Sequence, residues 1–283
     1  MLLIADSGST KCDWVLFENK DAAPIKIRTE GLNPSILKKE AIEKIILENS
    51  ELLKYRESIN FIYFYGAGCN SVDTIQVMES IFHSYFKNAK VVLKEDTMAA
   101  VKASTNTAAV VCILGTGSNC CFFDGNQIYQ KVPAMGYMLM DEASGNYFGK
   151  ELLKCYYYNE MPQELKVSFE NRYDLNENTV IKQLYQSETP NKYLAEFAIF
   201  LFKNKENEVM QKIIKDGISK FIDHQILQYK AELKSVPLYF VGSIAFYAQD
   251  FMNEALKKRG LRASRYIKRP IENLISKIKE ETF

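Results

Sequence analysis

The sequence predicts an α/β fold in two related halves, each a mixed sheet flanked by helices and headed by a β-hairpin, with a cleft between the halves. Two hairpins, and the strand–helix alternation that follows the first, carry this reading. The stretch 108–125, AAVVCILGTGSNCCFFDG, holds two short apolar runs, Val110–Leu114 and Cys120–Phe123, around Gly115-Thr116-Gly117-Ser118-Asn119. Both runs are too short for a helix, and the first is rich in β-branched residues, so they read as strands joined by a glycine-rich turn. Residues 2–17, LLIADSGSTKCDWVLF, repeat the layout: Leu2–Ala5, a turn through Asp6-Ser7-Gly8-Ser9-Thr10-Lys11, then Trp14–Phe17. Repetition of one supersecondary unit changes a fold assignment from a single domain to two facing halves.

The turns carry the first chemistry. Glycines beside hydroxyl residues let backbone N–H groups converge without Cβ atoms in the way, and such a concavity binds phosphate oxygens. One such turn reads as well as an ordinary hairpin tip; the twin favours a ligand. In the first hairpin, Asp6 ends a strand, where its carboxylate can hold a hydrated Mg²⁺. The hydroxyls and N–H groups of Ser7, Gly8, Ser9 and Thr10, with Lys11, can meet phosphate oxygens. Gly115, Thr116, Gly117 and Ser118 do the same in the second.

The motifs DSGSTKCDW and LGTGSNC resemble the two phosphate hairpins of the sugar kinase–Hsp70–actin superfamily. GTGSNC is followed by GYMLMDEASG at 136–145, and this pairing is similar to the BadF/BadG-type ATPases and N-acetylglucosamine kinases. The motifs occur in the family's order across nearly the full chain. The resemblance implies two actin-like, ribonuclease H-like domains with ATP and Mg²⁺ in the cleft between them.

Composition narrows the alternatives. The chain's 283 residues are enough for two substantial cores. Its 36 basic and 35 acidic side chains nearly cancel, which argues against an electrostatic nucleic-acid binder. No apolar run reaches the ~18 residues of a membrane span, and Met1 leads straight into a strand rather than a signal peptide. The six cysteines, 12, 69, 112, 120, 121 and 155, form no CxxC and read as reduced core residues of a cytoplasmic protein.

In chain order, Ile25–Arg28 is a short strand. Ser35 is placed to cap a helix from Ile36 to about Tyr55. Ile59–Tyr65 is a core strand ending in Gly66-Ala67-Gly68-Cys69-Asn70, a strand C-terminus where α/β sheets hold ligands. Val72 opens a helix to about Phe86, and Val91–Leu93 is a strand. Asp96 stands where that strand hands over to an Ala-rich helix, as an N-cap or as a catalytic base. Ser104–Thr107 is a polar break, so 1–104 forms the first domain and 105–283 the second, with 268–283 able to pack back on the first. Ile128–Val132 is a further strand, and a helix runs from the Gly145 region to about Tyr158. Helices fill 161–233. The histidines, His83 and His224, fall in helical patterns far from any motif. Leu238–Val241 is a strand entering Gly242-Ser243 and a helix to about Arg259, and Arg269-Pro270 starts a terminal amphipathic helix.

The resemblance adds roles. Asp96 matches the family's catalytic base. Asn33, Asn119 and Asp141 are placed to hold a sugar, although Asn33 also reads as a turn residue. Gly242 and Ser243 resemble the adenosine motif. The chain departs from the family at Met135, where an aromatic is expected, and at Met140 and Ala143, where glycines are. The expected activity is an ATP-dependent kinase for N-acetylglucosamine or a related amino sugar. The alternatives are an ATPase coupled to a protein partner and a nucleotide-binding regulator without turnover. Expected partners are ATP and the sugar, with no nucleic acid and no membrane; a homodimer is left open.

Overall fold

The computed structural model describes residues 1–8 and 10–282, with only the backbone of Glu281. The chain forms two compact units. Unit 1 comprises Met1–Thr105 and the segment from Arg269 on; unit 2 is Asn106–Lys268.

Unit 1 is built on strands β1 (Leu2–Ser7), β2 (Lys11–Phe17), β3 (Ile25–Glu30), β4 (Phe61–Gly66) and β5 (Lys90–Glu95), ordered β3-β2-β1-β4-β5. β1, β2 and β3 form an antiparallel meander, and β4 and β5 run parallel to β1. Strand alternation sends side chains to two buried faces. On one, Leu3, Ala5, Cys12, Trp14 and Leu16 pack with helices α1 (Lys39–Leu47) and α3 (Val72–Tyr85), which contribute Ile42, Ile46, Met78, Ile81 and Phe82. The rings of Trp14, Phe64 and Phe82 meet there at centroid distances of 5.2 to 6.3 Å. On the other, Leu2, Ile4, Val15 and Phe17 pack with α4 (Asp96–Ser104) and α12 (Pro270–Thr282) through Ala99, Ala103, Ile271, Leu274 and Ile278. Each large aliphatic buried in this way contributes roughly 1.5–3 kcal/mol. α12 also satisfies the end of α4: Asn273 Nδ2 donates to the Ala103 carbonyl at 3.0 Å and Lys277 Nζ to the Lys102 carbonyl at 2.6 Å.

The helix expected over 36–55 is two helices, α1 and α2 (Ser50–Lys54). Asn49 separates them and caps α2 by accepting the Leu52 N–H at 2.8 Å. Ser35 caps nothing. The carbonyl of Asn33 accepts the N–H groups of Ile36 and Leu37 in a turn, and Ile36 is 53% exposed rather than buried.

Unit 2 repeats the topology. Its strands are β6 (Ala109–Leu114), β7 (Ser118–Phe123), β8 (Ile128–Tyr129), β9 (Leu238–Val241) and β10 (Arg265–Ile267), ordered β10-β9-β6-β7-β8. β6, β7 and β8 form the antiparallel meander, and β9 and β10 run parallel to β6. The third strand, expected to reach Val132, stops at Tyr129. The Tyr229 hydroxyl takes its place, accepting the Lys131 N–H at 2.9 Å and donating to the Cys120 carbonyl at 3.0 Å.

Helices α5 (Gly145–Tyr157), α6 (Gln163–Glu170), α7 (Glu177–Tyr185), α8 (Pro190–Lys203) and α9 (Glu208–His224) surround the core. The helix expected from Gly242 to Arg259 is divided at Ala248 into α10 (Ser243–Tyr247) and α11 (Gln249–Lys257). α5 and α8 approach so closely that a Cβ at Gly149 would lie 1.8 Å from the Leu194 carbonyl oxygen. All six cysteines are free and buried, and both histidines are exposed. Among the described residues no helix is long and apolar enough to cross a membrane.

Candidate functional site

In unit 1 the register brings Ser7, Gly66 and Glu95 side by side at the C-terminal ends of β1, β4 and β5. Asp6 and Asp96 therefore stand at one sheet edge, about two strand widths or roughly 10 Å apart. Burial pushes the Asp6 carboxyl up to about 7, aided by the negative charges of Asp96 and Asp13 and opposed by Lys11. Asp96 is pushed up to about 6, by burial first and then by Glu95, while the Thr97 backbone N–H pulls the other way. Asp96 is the first residue of α4 rather than its cap. Glu95 holds the cap position and makes no side-chain capping bond.

The first hairpin uses much of its own polarity. Ser7 is fully buried, and its hydroxyl accepts the Leu32 N–H at 2.8 Å. Gly8 N–H donates to the Lys11 carbonyl at 3.0 Å, closing the turn. Lys11 Nζ donates to Asp13 Oδ2 at 2.9 Å, and Arg28 Nε donates to Asp13 Oδ1 at 2.6 Å. Burial raises the Asp13 carboxyl, but these two cations outweigh it and hold the group below its ordinary value. Asp13 lies directly opposite Asp6 across the hairpin, so Lys11 serves the acidic pair. Thr10 is half-buried at the tip, and Ser9 lies outside the described residues.

Asn33 is buried, and its Oδ1 accepts the Ser35 N–H at 3.0 Å. Gly68, at φ +79°, packs on it so tightly that a Cβ would lie 2.1 Å from Asn33 Oδ1. The Ser35 hydroxyl donates to the Gly68 carbonyl at 3.1 Å. The 32–35 turn is thus clamped to the turn after β4.

In unit 2 the glycine-rich turn after β6 is fixed from three sides. Gly115 N–H donates to the Gly117 carbonyl at 2.9 Å within the turn. At the start of α5, Gly145 N–H donates to the Gly115 carbonyl at 2.8 Å and Asn146 N–H to the Thr116 carbonyl at 3.0 Å. Asp141, buried and at φ 71°, accepts the Ser118 N–H on Oδ1 at 3.1 Å and the Asn146 Nδ2 on Oδ2 at 2.8 Å. The Ser144 hydroxyl, which caps α5, donates to Asn146 Oδ1 at 2.8 Å. Burial raises the Asp141 carboxyl, and the bonds from Asn146 and Ser118 oppose it. Asp141 thus holds the hairpin in place, a role that the sequence reading did not give it. Ser144 and Asn146 were missed; a capping serine at the head of a helical pattern was the available signal.

Asn119 sits on the opposite face of β7 from Ser118 and Cys120, with Oδ1 accepting the Cys120 N–H at 2.8 Å. Gly242, at φ +116°, donates its N–H to the Ile267 carbonyl at 2.8 Å, and a Cβ there would lie 2.3 Å from the Leu114 carbonyl oxygen. Gly242 and Ser243 thereby lie beside the β6 turn at the same sheet edge. Next to them Lys268 Nζ donates to the Tyr247 hydroxyl at 2.8 Å and lies over the rings of Tyr247 and Phe246. Ala143, where a glycine was expected, carries a left-handed φ of 58°. Met135, Met138 and Leu139 are exposed on the loop before Asp141.

Among the described residues no three His, Cys, Asp or Glu side chains converge as a metal cage. Asp6 suits a hydrated Mg²⁺ all the same, because such an ion keeps most of its waters and takes one or two carboxylates. The crowding of like charges around Asp6 is what a cation relieves.

No family profile matches the chain, and no curated protein sequence does. Solved structures do match. The crystal structure of a proposed N-acetylglucosamine kinase from Porphyromonas gingivalis is 30% identical over 100% of both chains, with a TM-score of 0.89. A second proposed N-acetylglucosamine kinase, from Chromobacterium violaceum, is 14% identical over 96% of both chains, with a TM-score of 0.62. A ROK family glucokinase from Streptomyces griseus, solved with glucose and AMPPNP, is 11% identical over 95% of this chain and 93% of its own, with a TM-score of 0.54. The last two show the shared fold.

Proposed function

Because the chain belongs to the N-acetylglucosamine kinase family of the sugar kinase–Hsp70–actin superfamily, we propose that it transfers the γ-phosphoryl group of ATP to a hydroxyl of N-acetylglucosamine or a related amino sugar. The observation that carries this reading is Asp96, at a sheet edge beside Asp6 with its carboxyl at about 6. A base whose pKa lies near the operating pH combines a large ionised fraction with useful proton affinity. Asp96 accepts the proton of the attacking sugar hydroxyl.

Unit 2 contributes the nucleotide contacts. Thr116 and Gly117 stand at the tip of the turn, and the Gly117 amide makes no hydrogen bond among the described residues. Ser118 gives its N–H to Asp141, which fixes the angle at which the turn meets phosphate. Gly242 and Ser243 let the chain pass close to the nucleoside. Asp6 holds Mg²⁺ through water, and the ion when bound neutralises phosphate charge. Thr10 adds a hydroxyl, while Ser7, Gly8 and Lys11 shape the first hairpin. Asn33 and Asp141 contact the sugar with the hydrogen-bonding capacity their structural bonds leave over. Transfer of this kind relies mainly on positioning and charge neutralisation.

The test is a coupled ADP-release assay with Mg-ATP over a panel of sugars and amino sugars. Sugar-dependent ADP release is expected. ATP binding without release under any sugar refutes the kinase reading in favour of a non-catalytic nucleotide binder.

A further inference from the structure

Unit 2 contains a cavity of about 410 Å³ between the turn after α6, helix α7 and the first half of α8. None of the residues proposed for the phosphates, nucleoside or sugar lines it. Its volume falls within the range of small-molecule sites, roughly 300–1,000 Å³. Four charged side chains line it: Arg172 and Asp174 from the turn, Lys192 and Glu196 from α8. Among the described residues none of the four lies within 4.0 Å of an opposite charge. Two cations and two carboxylates thus line one space without pairing with each other; Arg172, Asp174 and Glu196 are exposed, and Asp174 Oδ1 also accepts the Asn176 N–H at 3.0 Å.

The walls are organised. Arg172 Nε donates to the Tyr173 hydroxyl at 3.0 Å with the guanidinium over that ring, and the Tyr173 hydroxyl donates to the Glu196 carbonyl at 3.3 Å. Tyr193 completes the lining, and its hydroxyl is sealed from solvent without a hydrogen-bond partner.

We infer that this cavity is a second binding site, and that it takes a small zwitterion bearing one phosphate or carboxylate and one ammonium group. The anion lies against Arg172 and Lys192, and the ammonium against Asp174 and Glu196. A ligand with both charges matches both halves of the lining; one with a single charge leaves two like-charged groups unanswered.

Titration calorimetry on the full chain tests this with two probes. Glucosamine 6-phosphate carries a phosphate and an ammonium; L-glutamine carries a carboxylate and an ammonium. At least one is expected to bind at one site per chain, and which one binds identifies the anionic group. Lys192→Ala and Glu196→Gln are each expected to weaken that binding about tenfold or more, the effect of losing one charge-assisted hydrogen bond. Tyr193→Phe is the packing control. It should leave both the probe affinity and the unfolding midpoint of the free protein close to the parent's, because the sealed hydroxyl has no partner to lose and does not face the cavity. Gly117→Val, in the phosphate turn, should leave probe affinity as it was. Silence with both probes at millimolar concentration overturns the inference, as does binding that survives both Lys192→Ala and Glu196→Gln or is abolished by Gly117→Val. Since heat of binding is read rather than turnover, failure here leaves the kinase reading untouched.

Discussion

Replacing Asn146 with Ala tests how the phosphate turn of unit 2 is held. Asn146 is 1% exposed and makes two side-chain bonds of 2.8 Å, donating to Asp141 Oδ2 and accepting from the Ser144 hydroxyl. The first reaches a carboxylate and is worth about 1.5–3 kcal/mol; the second adds about 1 kcal/mol. Alanine leaves the buried Asp141 with one donor fewer, so a loss of about 2–4 kcal/mol is expected. Urea unfolding followed by far-UV circular dichroism reads it as a lower midpoint with an unchanged slope. Trp14, the only tryptophan, lies in unit 1, so its fluorescence transition should move much less than the dichroism transition. Asn146→Asp keeps the shape but sets a second carboxylate against Asp141. That variant should be at least as damaged at neutral pH and recover partly on acidification, when the pair shares a proton. Nucleotide affinity should fall about tenfold in both, equivalent to about 1.4 kcal/mol. A stability change below about 0.5 kcal/mol, the range of an ordinary surface substitution, would refute the claim that Asn146 and Asp141 hold the turn.

Four further outcomes are expected. Asp96→Asn should keep Mg-ATP binding while turnover falls by roughly two to four orders of magnitude, and the parent's kcat should rise with pH through an apparent pKa near 6; near-parental turnover in the variant would remove Asp96 from the mechanism. Folding raises the Asp96 pKa from 3.8 to about 6, so the folded state holds this proton more tightly than the unfolded chain and stability falls as pH climbs through that window; Asp96→Asn should flatten this part of the urea-midpoint profile, and an unchanged slope would contradict the assignment. Gly117→Val places a branched side chain where even a Cβ would lie 2.9 Å from Asp141 Oδ2, so a folded variant should lose nucleotide affinity in calorimetry; parental affinity would dismiss the turn as a phosphate site. Gly149→Ala drives a methyl against the Leu194 carbonyl oxygen at 1.8 Å and should cost about 1–3 kcal/mol or more in a melting experiment, as overpacking of a tight contact does; a neutral result would mean that α5 and α8 separate at little cost.

Local pattern revealed the elements whose cause is local. Both hairpins, the strand at 238–241 and the order of strands and helices follow from runs of apolar residues punctuated by glycine. Errors arose where a distant side chain intervened. Nothing near Ile128 announces that the third strand will stop at Tyr129, with the Tyr229 hydroxyl bonding Lys131 beyond it. Nothing near Ser7 announces that its hydroxyl will bond Leu32 rather than meet a ligand. Asp141 is legible as a polar residue in a motif, but its hold on the hairpin depends on Ser118 and Asn146, which only the fold brings together. The break at Asn49 was readable from a capping residue inside an apolar pattern and was outweighed there by the longer periodicity.

The composition of unit 1 from two separate stretches of chain has a consequence for the order of synthesis. α12 covers Leu2, Ile4, Val15 and Phe17, which are made before unit 2, with Ile271, Leu274 and Ile278, which come after the whole of unit 2. On the ribosome, 106–268 is complete as a continuous segment before that partner emerges, so unit 2 can reach its native contacts while one face of the first sheet still lacks its cover. That face is a transient apolar surface of the kind that holdase chaperones bind and that drives aggregation. Closing it joins residues more than 250 positions apart in sequence, a long loop closure that belongs late in folding. Chains truncated just before Pro270 and released from the ribosome should therefore show a protease-resistant unit 2 and a sensitive unit 1.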